Sequence, residues 1–215
     1  MRGMRAWAMA VAVAVAIAAA AAPASAGPVS DQLKDAVDRV IKLLEDPALK
    51  GPDKTGERRA GVTKIAQEIF DFPEVARRSL ARHWQPLTDK QREEFTTLFA
   101  DLLERSYVSK IELYSGEKIT YGNERLDGET AVVPTRIASK SGAEIPIDYR
   151  MQKKGVRWLV YDVNIEGVSL VSNYRTQFNK IIQTSSFDDL IVKLKTKQDE
   201  LSSVGTTKPA TPAKR

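Results

Sequence analysis

The apolar pattern of this chain changes period twice, and that change restricts its fold more than any other feature. Up to Gly116, apolar residues recur three and four positions apart, the spacing of a helix face. From residue 117 to 165 they alternate with polar residues, and after Ser172-Asn173 the helical spacing returns. Turn signals at Asp127-Gly128, Lys140-Ser-Gly142 and Lys153-Lys-Gly155 divide the alternating region into strands. The first covers 117–126 and the second 130–139, where Pro134 suggests an edge or a bulge. The third carries Ile145, Ile147, Tyr149 and Met151 on one face. The fourth carries Leu159, Tyr161, Val163 and Ile165, with Trp158, Val160, Asp162 and Asn164 opposite. Consecutive strands joined by short turns make an antiparallel four-stranded meander with one buried face. Helices lie before and after it, so the fold class is α+β.

The helical stretches carry their own punctuation. Ser30 is placed to cap a helix with the stripe Leu33, Val37, Val40, Ile41 and Leu44, which ends at Asp46-Pro47. Residues 50–56 form a loop, and a second helix follows through Val62, Ile65, Ala66, Ile69 and Phe70. Asp71-Phe72-Pro73 restarts the chain as a third, carrying Val75, Leu80 and Trp84 and stopped by Pro86. Thr88-x-x-Gln91 is a capping box that opens the strongest helix. Its stripe runs Phe95, Leu98, Phe99, Leu102, Leu103, Ser106, Tyr107, Ile111 and Tyr114, closed by Gly116. Ser186 can cap a last helix through Phe187, Leu190, Ile191 and Leu194, and from Val204 the chain has nothing to bury.

Arg2 and Arg5, the uncharged run 6–22 and Ala24-Ser25-Ala26 after Pro23 have the layout of a secretory signal peptide cleaved after Ala26. A membrane anchor is the competing reading. The run of 17 residues is at the short edge of the ~17–25 that a spanning helix needs, and it is mostly alanine. The expected organisation is therefore a signal peptide over 1–26, one domain over 27–203 and a disordered tail over 204–215. Losing the leader takes the formal charge from +5 to +3, too little to argue for nucleic acid. No cysteine is present, so an exported domain must fold without disulfides, and lipid attachment at an N-terminal Cys is excluded.

Catalytic readings find little support. A single histidine and no cysteine leave no His cluster, Cys zinc site or thiol nucleophile. His83, beside Trp84 near a helix end, suits a structural role. Asp162 and Glu166 share a strand face and could form an acid/base couple; the alternative is a satisfied carboxylate at a sheet end. No phosphate-cradling glycine loop, nucleophile elbow or acidic metal loop is present, so neither catalytic residues, metal nor cofactor are expected. What the chain has instead is an excess of apolar faces, which periodicity alone reads as core.

One stretch is more specific. Residues 161–178 read Tyr-Asp-Val-x-Ile-Glu-Gly-Val-Ser-Leu-Val-x-Asn-Tyr-Arg-x-Gln-Phe. They follow, in order, Phe70-Asp71, Arg77-Arg78-Ser79-Leu80-Ala81-x-x-Trp84, Leu87-Thr88-x-x-Gln91-Arg92-x-x-Phe95, Tyr107, Ile147-x-Tyr149 and Gly155-x-x-Trp158. This series resembles the MlaC family of periplasmic phospholipid-binding proteins, also called toluene-tolerance proteins, over nearly the whole of residues 30–201. The family usually has Gly where Ala81 stands, a departure of small consequence inside a helix. The resemblance implies a sheet curled against helices around an elongated apolar pocket for acyl chains, with the headgroup at its mouth. It also implies a periplasmic monomer that carries phospholipid between an inner-membrane ABC transporter complex with an MCE-domain protein and an outer-membrane lipoprotein complex. In that role it would maintain outer-membrane lipid asymmetry. A scaffold of the envelope with a solid core and no ligand is the alternative.

The pocket residues expected on this basis are Leu102, Tyr107, Ile111, Ile147, Tyr149, Val163, Ile165, Val168, Leu170 and Phe178. Arg175, at the start of a helix, would either hold a lipid phosphate or pair with Glu166 or Asp162.

Overall fold

Thr88 and Gln91 exchange hydrogen bonds as a capping box, and the helix they open is the longest among the described residues. The structure, a computed structural model, describes residues 27–138 and 142–204, without the side chains of Ser109 and 201–204. The expected signal peptide, the tail past Val204 and most of the Lys140–Gly142 turn lie outside the described residues. Before the sheet come α1 (Pro28–Glu45), α2 (Thr55–Ile69), α3 (Phe72–Leu80) and α4 (Asp89–Ile111). After it come α5 (Leu170–Thr184) and α6 (Phe187–Val204), the latter opened by Ser186, whose Oγ accepts from Asp189 N.

The sheet is antiparallel, and its strands follow the expected meander with two additions. They are β1 (Lys118–Tyr121), β2 (Arg125–Asp127), β3 (Thr130–Ala138), β4 (Glu144–Lys154), β5 (Arg157–Ile165) and β6 (Val168–Ser169), in the order β1-β3-β4-β5-β6 with β2 also on β3. The first expected strand is split at Gly122-Asn123-Glu124. There the Glu124 carboxylate turns away to accept the Ser30 N–H at 2.7 Å, so a residue 94 positions distant satisfies the start of α1. Pro134 is consequently neither at an edge nor in a bulge of its own strand. In a strand N–H and C=O of one residue point the same way, and the Pro134 carbonyl accepts from Gly122 N at 2.8 Å. Its missing donor therefore faces the break between β1 and β2.

The second addition is β6. Glu166 and Gly167, with φ of 51° and 85°, form a tight turn that sends the chain back along β5 before α5 begins. The helix cap is therefore Ser169, whose Oγ accepts from Ser172 N at 3.0 Å, and not Ser172-Asn173. Three further boundaries differ from expectation. Helix α1 begins at Pro28, with Ser30 buried inside its first turn. Helix α4 stops at Ile111, short of Tyr114. Helix α3 stops at Leu80, where Ala81 turns to φ 49° and ψ −119° before a 3-10 turn over Ala81–His83.

The most consequential difference is in β5. Met151 pairs with Val160 and Arg150 with Asp162, so Tyr161 is an extra residue, a β-bulge. It reverses the alternation midway. Trp158 and Val160 join Val163 and Ile165 in one core, while Tyr161 faces α3 with the Arg78 guanidinium 3.9 Å above its ring. The expected face of Leu159, Tyr161, Val163 and Ile165 does not exist.

Two cores result. One joins α3, α4, α5 and α6, with Phe95, Phe99, Tyr174 and Phe178 packed ring on ring at centroid distances of 4.9 to 5.6 Å. The other lies between α1, α2 and one face of the sheet.

Candidate functional site

The register of the sheet arranges its inner face in four layers. Ala131, Met151 and Val160 form the first, then Val133, Tyr149 and Val163. Tyr121, Thr135, Ile147 and Ile165 form the third, and Ile119, Ile137 and Ile145 the fourth. Burial fades along this series. The first layer is exposed by 2%, 0% and 0%, whereas Ile119, Ile137 and Ile145 are only half-buried. Helix α1 fades in the same sense: Val29, Leu33 and Ala36 are buried, while Val37, Val40, Ile41 and Leu44 are half-buried. The two walls thus close completely at one end and only partly at the other. Two residues of strand separate successive layers, so cover thins over about 14 Å, from the second layer, where Val133 is still 0% exposed, to the fourth, which has no buried residue. The result is an apolar wedge.

The closed end is pinned by polar contacts. Glu124 holds the Ser30 N–H, and the Gln32 side-chain amide both donates to the Trp158 carbonyl and accepts from the Trp158 N–H at 2.9 Å. Asp71, buried, caps α3 through the Glu74 N–H and receives Gln152 Nε2 at 2.8 Å and the Lys154 ammonium. Towards the open end the polar groups are sparse. Thr135 Oγ1 donates to the Ile147 carbonyl at 3.0 Å, and the Tyr121 hydroxyl is buried with no partner among the described residues. Burial pushes the Tyr149 hydroxyl above its ordinary pKa; for Tyr121 burial does the same, with Tyr149 and Asp38 adding to it. Asp38 also lines an open depression of about 630 Å³ along the outer half of α1, with Ile41, Lys42, Glu45, Asp46 and Pro47.

The ten residues expected to line a pocket do not share one environment. Ile147, Tyr149, Val163 and Ile165 meet on the wedge. Leu102, Tyr107, Leu170 and Phe178 belong to the helical core. Ile111 and Val168, 38% and 60% exposed, sit at the end of α4 and in the β6 hairpin. Residues of the wedge not singled out from the sequence are Tyr121, Val133, Thr135 and Ile137, although the alternation of β3 displayed three of them.

Asp162 and Glu166 are not a couple. Asp162 is buried and accepts from Ser169 Oγ at 2.7 Å and Val171 N at 3.0 Å, with Arg150 Nη1 at 3.3 Å, while Glu166 is exposed in its turn. The carboxylate fixes the corner where the sheet becomes α5. Arg175 makes no ion pair with either residue; its Nε donates to the Arg78 carbonyl at 2.9 Å on the seam between α3 and α5. His83 Nε2 lies 3.0 Å from Asn179 Oδ1 on the same seam. Among the described residues no group of three His, Cys, Asp or Glu could hold a metal, and no helix is long and apolar enough to cross a membrane.

The family model described as MlaC protein matches residues 34–196. The intermembrane phospholipid transport system binding protein MlaC of Haemophilus influenzae is 28% identical over 120 residues, 54% of this chain and 56% of that one. Toluene tolerance protein ttg2D of Pseudomonas putida is 26% identical over 129 residues, 59% of this chain and 60% of its own. The chain thus spans little more than half the length of these two curated relatives. A phospholipid-binding protein from Ralstonia solanacearum, solved in complex with a phospholipid, superposes with a TM-score of 0.71 at 26% identity, over 82% of this chain and 99% of that one.

Proposed function

Because the chain belongs to the MlaC family, we propose that it is a periplasmic phospholipid carrier whose acyl-chain site is the wedge between α1 and the sheet. The observation that carries this reading is the matched fading of burial along both walls, which leaves Val37 and Val40 of α1 and Tyr149, Ile165, Ile137 and Ile145 of the sheet only half-buried. Each buried methylene is worth ~0.8 kcal/mol, so the two tails of a phospholipid are held out of water by on the order of 20 kcal/mol. A carrier answers that barrier by offering one dry surface in place of another. It needs shape and apolar area, and neither a nucleophile nor a metal.

In this reading Ile147, Tyr149, Val163, Ile165 and Ile137 line one side and Val37 and Val40 the other. Leu102, Tyr107, Leu170 and Phe178 support the helical core behind. Lipid is received from and passed to partners in the two membranes, an ABC transporter complex with an MCE-domain protein on the inner side and a lipoprotein complex on the outer. Cleavage after Ala26 would release the mature protein beginning at Gly27. Native mass spectrometry of protein purified without detergent tests the central claim. The expected spectrum shows the polypeptide with one or more phospholipid masses. A bare polypeptide under the same gentle conditions would refute it and favour a scaffold without ligand.

A further inference from the structure

The Tyr121 hydroxyl is the one buried polar side-chain atom on the inner face of the sheet that lacks a partner among the described residues. A native fold rarely leaves such a group unmatched unless something else supplies the acceptor. No acceptor among the described residues lies within hydrogen-bond distance of it. Thr135, directly across the strand pair, turns its own O–H to the Ile147 carbonyl and makes no bond to Tyr121. Ile147 and Ile165 complete the layer, and the next one outward is Ile119, Ile137 and Ile145. Burial and the nearby Tyr149 and Asp38 hold the phenol in its neutral form, so it is a donor in need of an acceptor.

A phospholipid offers two kinds of acceptor, the phosphate and the ester carbonyls that join tails to glycerol. The phosphate fits badly here, since its charge would enter an apolar layer close to the Asp38 carboxylate. An ester carbonyl is uncharged and sits where tail becomes headgroup. Resting on the reading of the wedge as a lipid site, we propose that Tyr121 donates a hydrogen bond to an ester carbonyl of the bound lipid and thereby makes the site selective for diacyl over dialkyl lipids.

The test loads delipidated protein from vesicles of phosphatidylethanolamine mixed equally in diacyl and dialkyl forms of the same chain length, and reads the bound lipid by native mass spectrometry. The wild type should take the diacyl form about tenfold more, the factor that about 1.4 kcal/mol represents. In Tyr121→Phe, diacyl binding should fall to the dialkyl level. Melting temperatures supply an independent readout. Removing an orphaned hydroxyl should raise that of the delipidated protein, and removing a bonded one should lower that of the diacyl-loaded protein. A wild type that loads both forms equally refutes the ester contact while leaving the carrier reading standing. Discrimination that survives in Tyr121→Phe refutes the role of this residue. Failure to load either lipid removes the carrier reading and the ester contact with it.

Discussion

Replacing Ala81 by glycine should stabilise this protein, although the same change inside a helix would weaken it. At φ 49° and ψ −119°, Ala81 occupies backbone space that a Cβ disfavours, and it does so at the C-cap of α3, with its N–H bonded to the Arg77 carbonyl. Strain of this kind in a residue other than glycine costs about 1–3 kcal/mol. Glycine relieves it but loses about 0.5–1 kcal/mol of backbone freedom on folding. The Ala81 methyl is exposed, so little burial is forfeited. The balance is a gain of about 1 kcal/mol, or an increase of roughly 2–4 °C in melting temperature for a domain of this size. Were Ala81 an ordinary helical residue, the substitution would instead cost about 1 kcal/mol. Urea unfolding of the two proteins, with m-values compared, measures the sign directly. A loss of stability would refute the strained cap.

Substitutions at three further positions probe the site and its supports. Asp162→Ala strands the Val171 N–H and the Ser169 hydroxyl at a buried corner and should cost about 2–4 kcal/mol by urea unfolding, with Asp162→Asn, which keeps an acceptor, costing less than half as much; equal stability of all three would dismiss the corner carboxylate. Glu124→Ala removes the acceptor at the start of α1 and should cost about 1 kcal/mol, with faster amide exchange confined to the first turn of that helix. Val163→Glu places a carboxylate on the wedge and should abolish co-purified lipid, so a folded variant that still carries a full load would exclude Val163 from the lining.

How far the sequence disclosed this arrangement depended on how local each cause was. The capping box of α4 joins residues three apart, and the hairpin turns at Gly128 and Gly155 are fixed by their own glycines, so both were legible. The bulge at Tyr161 was not, because its reason lies in the partner strand, where Arg150 and Met151 bond to residues two apart. A strand read as uniform alternation therefore assigned half of β5 to the wrong face. The break after β1 was equally hidden, since Glu124 leaves the sheet to serve a helix 94 positions earlier. Ala81 reads as helical because alanine is the strongest helix former and seldom takes a positive φ. For the site, the inward faces of β4 and β5 beyond the bulge were legible. Which of the remaining apolar residues belong to the helical core could not be separated by period, because α4 and α5 bury one another with the same spacing a ligand wall would show.

The polar ties between α1 and the sheet have a mechanical consequence. Both of them, at Ser30 and Gln32, fall within the first turn and a half of an 18-residue helix. Beyond them no further hydrogen bond joins α1 to the sheet among the described residues, and an exposed ion pair from Arg39 reaches Glu68 of α2. Such a lever, clamped at one end, can lift without breaking any hydrogen bond to the strands beneath it. The contacts such a movement would surrender are apolar, the kind an acyl chain can replace. In the carrier proposed above, filling and emptying would then exchange one apolar contact for another.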